Sequence, residues 1–377
     1  MLRKNFIRVA LFTGFSLLAG RGRIGQTAAF ASPQGEMPQV VNAKLEIRAA
    51  SQDLSATVAQ ISSESANAKW IGYSVERVPG SGEVCCENFS GHGEALCGTC
   101  RLEMGNGDEA THNHGASGRT VSLESGEKMA VLLRIANKRV IRIRIASSAC
   151  TLDAGGLQFV WLTGVTAMES VALLTKFVRL EDFRNENDHA ISEQALTAIA
   201  LHAGNEADRA FADFVSPQQS TELRMKASFW LGAARGKSGF ALLQKMAKSD
   251  ADTDVRSQVT FALFVSKEPG ATDEMIRMAH DDESTQVRGQ ALFWLAQKAD
   301  KKASEAITGA IQNDPDTDVK KKAVFALSQM PKEEGVPKLI DVAQTNRNFE
   351  VRKQAMFWLG QSNDPRALAF FEKILTH

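Results

Sequence analysis

Four of the five cysteines in this chain, Cys85, Cys86, Cys97 and Cys100, fall in one short segment, and Cys150 stands apart from them. Thiols so placed support three kinds of chemistry. Cys97-Gly98-Thr99-Cys100 has the separation of a redox dithiol, whose first thiol needs a helix N-terminus or a nearby cation to lower its pKa. The surrounding sequence is glycine-rich and lacks the βαβ pattern of thioredoxin-like proteins. Metal binding is the second possibility: Cys85, Cys86, Cys97 and Cys100, with His92, His112 and His114 close by, offer soft thiolate and imidazole ligands to Zn²⁺ or copper. The adjacent Cys85 and Cys86 do not match ordinary zinc spacing. Disulfides are the third, and the favoured reading for an exported chain. Two bridges among Cys85, Cys86, Cys100 and Cys150 would tie each member of the vicinal pair to a different partner, with one thiol left over. A bridge at Cys150 would fix the N-terminal domain onto the C-terminal half of the chain. No phosphate loop, metalloprotease pattern or nucleophile-base-orienter set accompanies these residues, so neither an enzyme nor a cofactor is implied, with thiol-disulfide exchange kept as the enzymatic alternative.

The elements that must position the cysteines read as a small α+β domain over 43–150. Lys44 to Arg48, Trp70 to Val75, Val131 to Ile135 and Val140 to Ile145 have the short alternating or β-branched pattern of strands. Asn137-Lys138 is a hairpin turn between the last two, Leu54 to Ile61 is an amphipathic helix, and residues 102 to 120 are an exposed loop.

Beyond this region the period changes. Ile191, Leu223, Val255, Val287, Val319 and Val351 stand 32 residues apart, each followed eight positions later by Ile199, Leu231, Leu263, Leu295, Leu327 or Leu359. Within a copy, Val319, Ala323, Ala326 and Leu327 mark one helical stripe. A second set, Phe211, Leu243, Met275, Ile307, Leu339 and Phe371, marks a second helix. Three residues before each anchor stand Asp188, Ser220, Asp252, Ser284, Asp316 and Asn348, all able to cap a helix start. Each unit is therefore a helix pair, too small to bury its own apolar face, so copies must stack.

Asp-Val-Arg at 254–256, Gln-Val-Arg at 286–288, Asp-Val-Lys at 318–320 and Glu-Val-Arg at 350–352, each leading to an Ala and then a Leu, resemble HEAT repeats of the short PBS-lyase HEAT-like form. The resemblance implies a mainly α fold, a HEAT-like right-handed α-solenoid serving as a protein-binding scaffold, and no catalytic residues. The whole chain is similar to bacterial secreted HEAT-repeat proteins with a Cys-containing N-terminal domain.

Residues Ala198, Trp230, Ala262, Trp294, Ala326 and Trp358 alternate large and small at one repeat position, which fills space without strain. Followed upstream, the alternation reaches Trp161 after a five-residue slip. Residues 151–185 then read as a degenerate capping repeat ahead of six repeats over 186–377, with Val171 to Val178 as its second helix. Two ladders run along the repeats. Phe229, Phe261, Phe293, Phe325 and Phe357 lie outside the stripe that faces the second helix, and serve either inter-repeat packing or a partner. Arg224, Arg256, Arg288 and Arg352, with Lys320, are read first as pairing with acids of neighbouring copies and second as a binding row.

Forty-four basic residues balance forty-four acidic ones. A neutral chain lacks the electrostatic footprint of a nucleic-acid binder, and a protein is the expected partner. Arg3, Lys4 and Arg8 precede the apolar run Val9 to Gly20 and the small-residue site Ala29-Phe30-Ala31, which reads as a signal peptide over 1–31 and a linker over 32–42. That predicts an exported protein, periplasmic or extracellular, with no membrane span after cleavage.

Overall fold

The computed structural model describes residues 37–80, 84–85, 88–89, 99–103, 128–148, 150–178, 186–298 and 300–376. In chain order the first part contains β1 (Val40–Val41), β2 (Lys44–Ala49), α1 (Leu54–Ser63), β3 (Lys69–Glu76), β4 (Val84–Cys85), β5 (Asn88–Phe89), β6 (Thr99–Arg101), β7 (Lys128–Ala136), β8 (Arg139–Ser147), β9 (Thr151–Asp153) and β10 (Gln158–Thr163). The predicted strands and helix all form. Asn137 and Lys138 turn β7 into β8 with φ of 51° and 62°, the left-handed pair that a two-residue hairpin needs.

Five strands make one sheet in the order β2-β10-β3-β7-β8, with β10 parallel to both of its neighbours and the other contacts antiparallel. The unit β2-α1-β3 is thus split, and β10 fills the gap. This placement corrects the capping-repeat reading of 151–185: its expected first helix is strands, and only its second helix, Val171 to Val178, forms, within a helix over Ala167–Val178. Phe159-Val160-Trp161-Leu162 is a central strand covered on both faces, which produces a continuous apolar run that periodicity alone does not separate from a buried helix. Trp161 lies over Gly72 of β3, where a Cβ would come within 2.9 Å of the indole. Its rhythm with the later tryptophans is a coincidence of spacing.

The two faces of the sheet bury different things. Trp70, Leu132, Phe159 and Trp161 point towards a second small sheet, β1-β9-β6, and pack with Cys100, Leu102, Cys150 and Leu152. Ile71, Tyr73, Val131, Leu133, Val160 and Leu162 point the other way, towards α1 and the later helices.

Those helices are α2 (Ala167–Val178), α3 (Glu186–Leu201), α4 (Asn205–Phe214), α5 (Thr221–Ala234), α6 (Gly236–Ser249), α7 (Thr253–Val265), α8 (Ala271–Asp281), α9 (Thr285–Lys298), α10 (Lys301–Asn313), α11 (Thr317–Ser328), α12 (Lys332–Thr345), α13 (Phe349–Gln361) and α14 (Pro365–Leu375). From α3 onward they form six pairs, one per 32-residue unit, and the first helices α3, α5, α7, α9, α11 and α13 pack successively on one another. All six anchors and their partners eight residues on lie inside this stack; Leu223 is half-buried and the others are buried. One core runs from the sheet through α2 and α3 into the last pair, so the β-containing region and the repeats share an interior.

Five expected caps form. Ser220, Asp252, Ser284, Asp316 and Asn348 accept hydrogen bonds from first-turn amides of α5, α7, α9, α11 and α13. Asp188 does not cap its helix, because α3 begins at Glu186 and takes Asp188 into its first turn.

Candidate protein-binding face

The arginine row is drawn inside the stack. Arg256 donates from Nε and Nη2 to the Asp282 carboxylate at 2.9 and 3.1 Å, and Arg288 makes the same pair of contacts to Asp314 at 2.8 and 3.1 Å. Arg224 pairs with Asp250. Each of these arginines is at most 8% exposed. The acid sits at the end of the second helix, where its carboxylate also accepts the backbone N–H two residues on: Asp252 to Asp250, Ser284 to Asp282, Asp316 to Asp314. One side chain therefore closes the turn between pairs and neutralises an arginine of the preceding first helix. Burial this deep removes Arg224, Arg256 and Arg288 from a partner-facing row. Arg352 is half-buried, donates to the carbonyls of Asn346 and Arg347, and lies over the Phe349 ring at 5.7 Å.

The acids were not singled out from the sequence, although a signal was there. Asp250, Asp282 and Asp314 repeat at the 32-residue spacing, and the next position is Asn346, in the copy where Lys320 replaces arginine. Loss of the cation's fork and loss of the anion occur together. Lys320 turns instead to the carbonyl of Gln312 at 3.1 Å. Arg235 was also missed: it spans the carbonyls of Ala200, His202 and Gly204 and the carboxylate of Asp208, closing the end of α3.

The phenylalanine row forms a connected aromatic rib. Phe229 stacks on Phe261 at 5.9 Å and Phe293 on Phe325 at 6.1 Å. Between those pairs the contact passes through tryptophan: Trp294 lies 4.7 Å from Phe261 and 4.9 Å from Phe264, and Trp358 lies 5.0 Å from Phe325. The fully buried Ala262 and Ala326 leave the space over which these indoles settle. Phe229, Phe261, Phe293 and Phe325 are half-buried, whereas Phe357 is 54% exposed. The rib therefore joins the repeats through ring contacts and is only partly covered, as the inter-repeat packing reading expects.

A groove of about 360 Å³ opens along the rib, lined by Met225, Phe261 and Trp294 with Asp254, Gln258, Gln286 and Gln290 beside them. The Nε1 of Trp294, which contributes to this groove, is buried and has no hydrogen-bond partner among the described residues. The same holds for Trp358 Nε1, beside a smaller cavity of about 150 Å³ between α11, α12 and α13. A buried indole N–H ordinarily finds an acceptor, and its absence costs on the order of 1–3 kcal/mol.

Among the described residues one further polar cluster is enclosed. Ser170 Oγ lies 2.8 Å from His202 Nε2 and 2.9 Å from Tyr73 Oη, a constellation that could suggest a nucleophile and its base. All three side chains are fully buried, and His202 Nδ1 is held by the carbonyl of Ala198 at 2.6 Å. Burial pushes the imidazole down to about 4, helped by the nearby Arg235 charge, so it stays neutral and ties β3, α2 and α3 together. Cys150 does not carry the expected bridge. It is a fully buried thiol in the core between the two sheets, its amide turned back to Ser147, and there it packs as a small apolar residue. The shared core, not a bridge at position 150, joins the two regions. Cys100 is disulfide-bonded. Cys86, Cys97, His92, His112, His114 and the side chain of Cys85 lie outside the described residues, and the alternative metal set lies there with them.

Among known proteins, a family model for HEAT repeats matches residues 272–357 and 304–377. No curated protein is significantly similar to the chain. Solved structures that resemble it include the CpcE–CpcF complex of phycocyanin lyase from Nostoc, at 18% identity over 50% of this chain and 98% of that one, with a TM-score of 0.29. Human deoxyhypusine hydroxylase in complex with glycerol shares 16% identity over 55% of this chain and 90% of that one, with a TM-score of 0.24. Kap95p bound to RanGDP shares 17% identity over 55% of this chain, which spans 31% of that longer chain, with a TM-score of 0.36. The matched residues take in α8 to α14.

Proposed function

We propose that the chain is an exported scaffold without chemistry of its own, in which a right-handed α-solenoid holds a protein partner along the aromatic rib of its first helices. The observation that carries this is the groove at Trp294, where the aromatic residues Phe261 and Trp294 meet a row of glutamines. An extended segment could seat an apolar side chain on Phe261 and Met225 and bond its backbone to the amides of Gln258 and Gln290 beside them. Aromatic floors with a few fixed polar groups are what concentrate binding energy in protein interfaces.

A photo-crosslinker placed at Gln290, beside the groove, tests this against one placed at Lys245 on α6. In an extract of the native compartment, one defined protein is expected to be trapped from Gln290 and not from Lys245, and Phe261→Asp is expected to abolish the adduct. Equal labelling from both positions, or an adduct indifferent to Phe261→Asp, would exclude this surface. Export and cleavage after Ala31 are tested separately by the N-terminal sequence of the mature chain, and the bridges among the remaining cysteines by a thiol count before and after reduction.

A further inference from the structure

The two edges of the five-stranded sheet are treated differently. At β8 the free amide of Ile143 is taken by the side chain of Gln194 at 2.8 Å, a bulge interrupts the register beside Arg134 and Ile135, and α3 packs over the strand. That edge is closed to further strands. At β2 nothing comparable is present: among the described residues no strand lies against its outer side, its register with β10 is unbroken over six residues, and it contains no proline. Leu45 and Ile47 on the same strand are 43% and 56% exposed. A regular, apolar edge of this kind is a template for another strand.

We infer that β2 pairs antiparallel with β2 of a second copy of this chain, across a two-fold axis at Ile47. The register follows from the hydrogen bonding. Lys44 and Ala50 donate their amides inward, to Leu157 and Thr163. The even-numbered residues therefore face β10, and the amides and carbonyls of Leu45, Ile47 and Ala49 face out. Centring the axis on Ile47 places Ile47 opposite its own copy and Leu45 opposite Ala49, all as hydrogen-bonded pairs, with roughly six N–H···O bonds in total. The intervening residues then meet as close non-hydrogen-bonded pairs, and they are Glu46 opposite Arg48, twice. In the single chain Arg48 bonds Glu46 at 2.6 Å and Glu64, which caps the end of α1, at 2.6 Å, so both charges lie together on one face of the strand and can exchange for the cross-strand pair. Opposite charges facing across a strand pair stabilise it, and like charges destabilise it. The symmetry makes the contact isologous, and the closed β8 edge keeps it from propagating into a fibre.

Light scattering on the full chain at high micromolar concentration is expected to give about twice 41.0 kDa. Ile47→Lys and Ile47→Glu are each expected to give the single mass, because like charges then meet on the axis, while the far-ultraviolet circular dichroism remains that of the parent. Mixed one to one, the two variants are expected to regain the double mass. A parent chain of single mass, a dimer insensitive to both substitutions, or a mixture that stays monomeric would each overturn the inference; the first would leave the edge for a strand of a different protein.

Discussion

Arg256 on the first helix of a repeat and Asp282 at the end of the same repeat's second helix face each other through two parallel hydrogen bonds of 2.9 and 3.1 Å, both side chains almost wholly removed from water. Buried pairs of this kind contribute little relative to a well-packed apolar replacement, but removing one partner strands the other charge and costs about 3–5 kcal/mol. Arg256→Met is therefore expected to destabilise the protein by about that amount in urea denaturation. Combining Arg256→Lys with Asp282→Asn copies the natural Lys320 and Asn346 arrangement and is expected to lose much less than either change predicts alone. Strict additivity in that double-mutant cycle would mean that the pair is not coupled.

Gly232 and Gly309 offer a matched comparison. A Cβ at Gly232 would stand 2.0 Å from the Ala262 carbonyl oxygen, so α5 and α7 approach as closely as they do only because that position is bare. Gly232→Ala is expected to cost about 1–3 kcal/mol through displacement of the two helices. Nothing lies within 4 Å of the corresponding point at Gly309, and Gly309→Ala is expected to gain roughly 0.5–1 kcal/mol from helix propensity alone. Thermal melts of the two variants should move in opposite directions.

The Asp316 carboxylate accepts from the amides of both Asp318 and Val319 at the start of α11. Asp316→Ala is expected to cost about 1 kcal/mol, and Asp316→Ser to restore most of it. Equal loss in the two variants, read by denaturant midpoint, would show that the amides are served by water instead.

Acid should weaken the junction between sheet and helices. His202 titrates at about 4 in the folded chain against an ordinary 6.5, because burial penalises the imidazolium and Arg235 repels it. Between those values the unfolded chain binds more protons, so this contribution to stability is complete above pH 6.5 and is lost as pH falls towards 4. The loss amounts to about 3 kcal/mol at most. Denaturation at neutral pH and near pH 4.5 is expected to show a smaller difference for His202→Gln than for the parent.

The repeats were legible because each unit restates the same constraint. Anchors, second-helix residues and caps recur at one spacing, and only Asp188 departs from it. The sheet was legible strand by strand but not as a whole. Val140 to Ile145 alternates because Arg142 and Arg144 share the face opposite Ile143 and Ile145, whereas Phe159 to Leu162 is apolar on both faces and loses the period that distinguishes strand from helix. The same limit explains Cys150: its depth is set by β9 and β10, which pack around it from later in the chain. The arginine row was readable as structural in kind, yet its partners required the fold, since each acid lies 26 residues along and belongs to the following turn.

Along the stack, the joint at Lys320 and Asn346 lacks the fork of charges that fastens the three joints before it. A stack of helices clamped at successive turns flexes where a clamp is omitted. Under load the stack should bend first between its fifth and sixth helix pairs, so that the final pair moves against those before it.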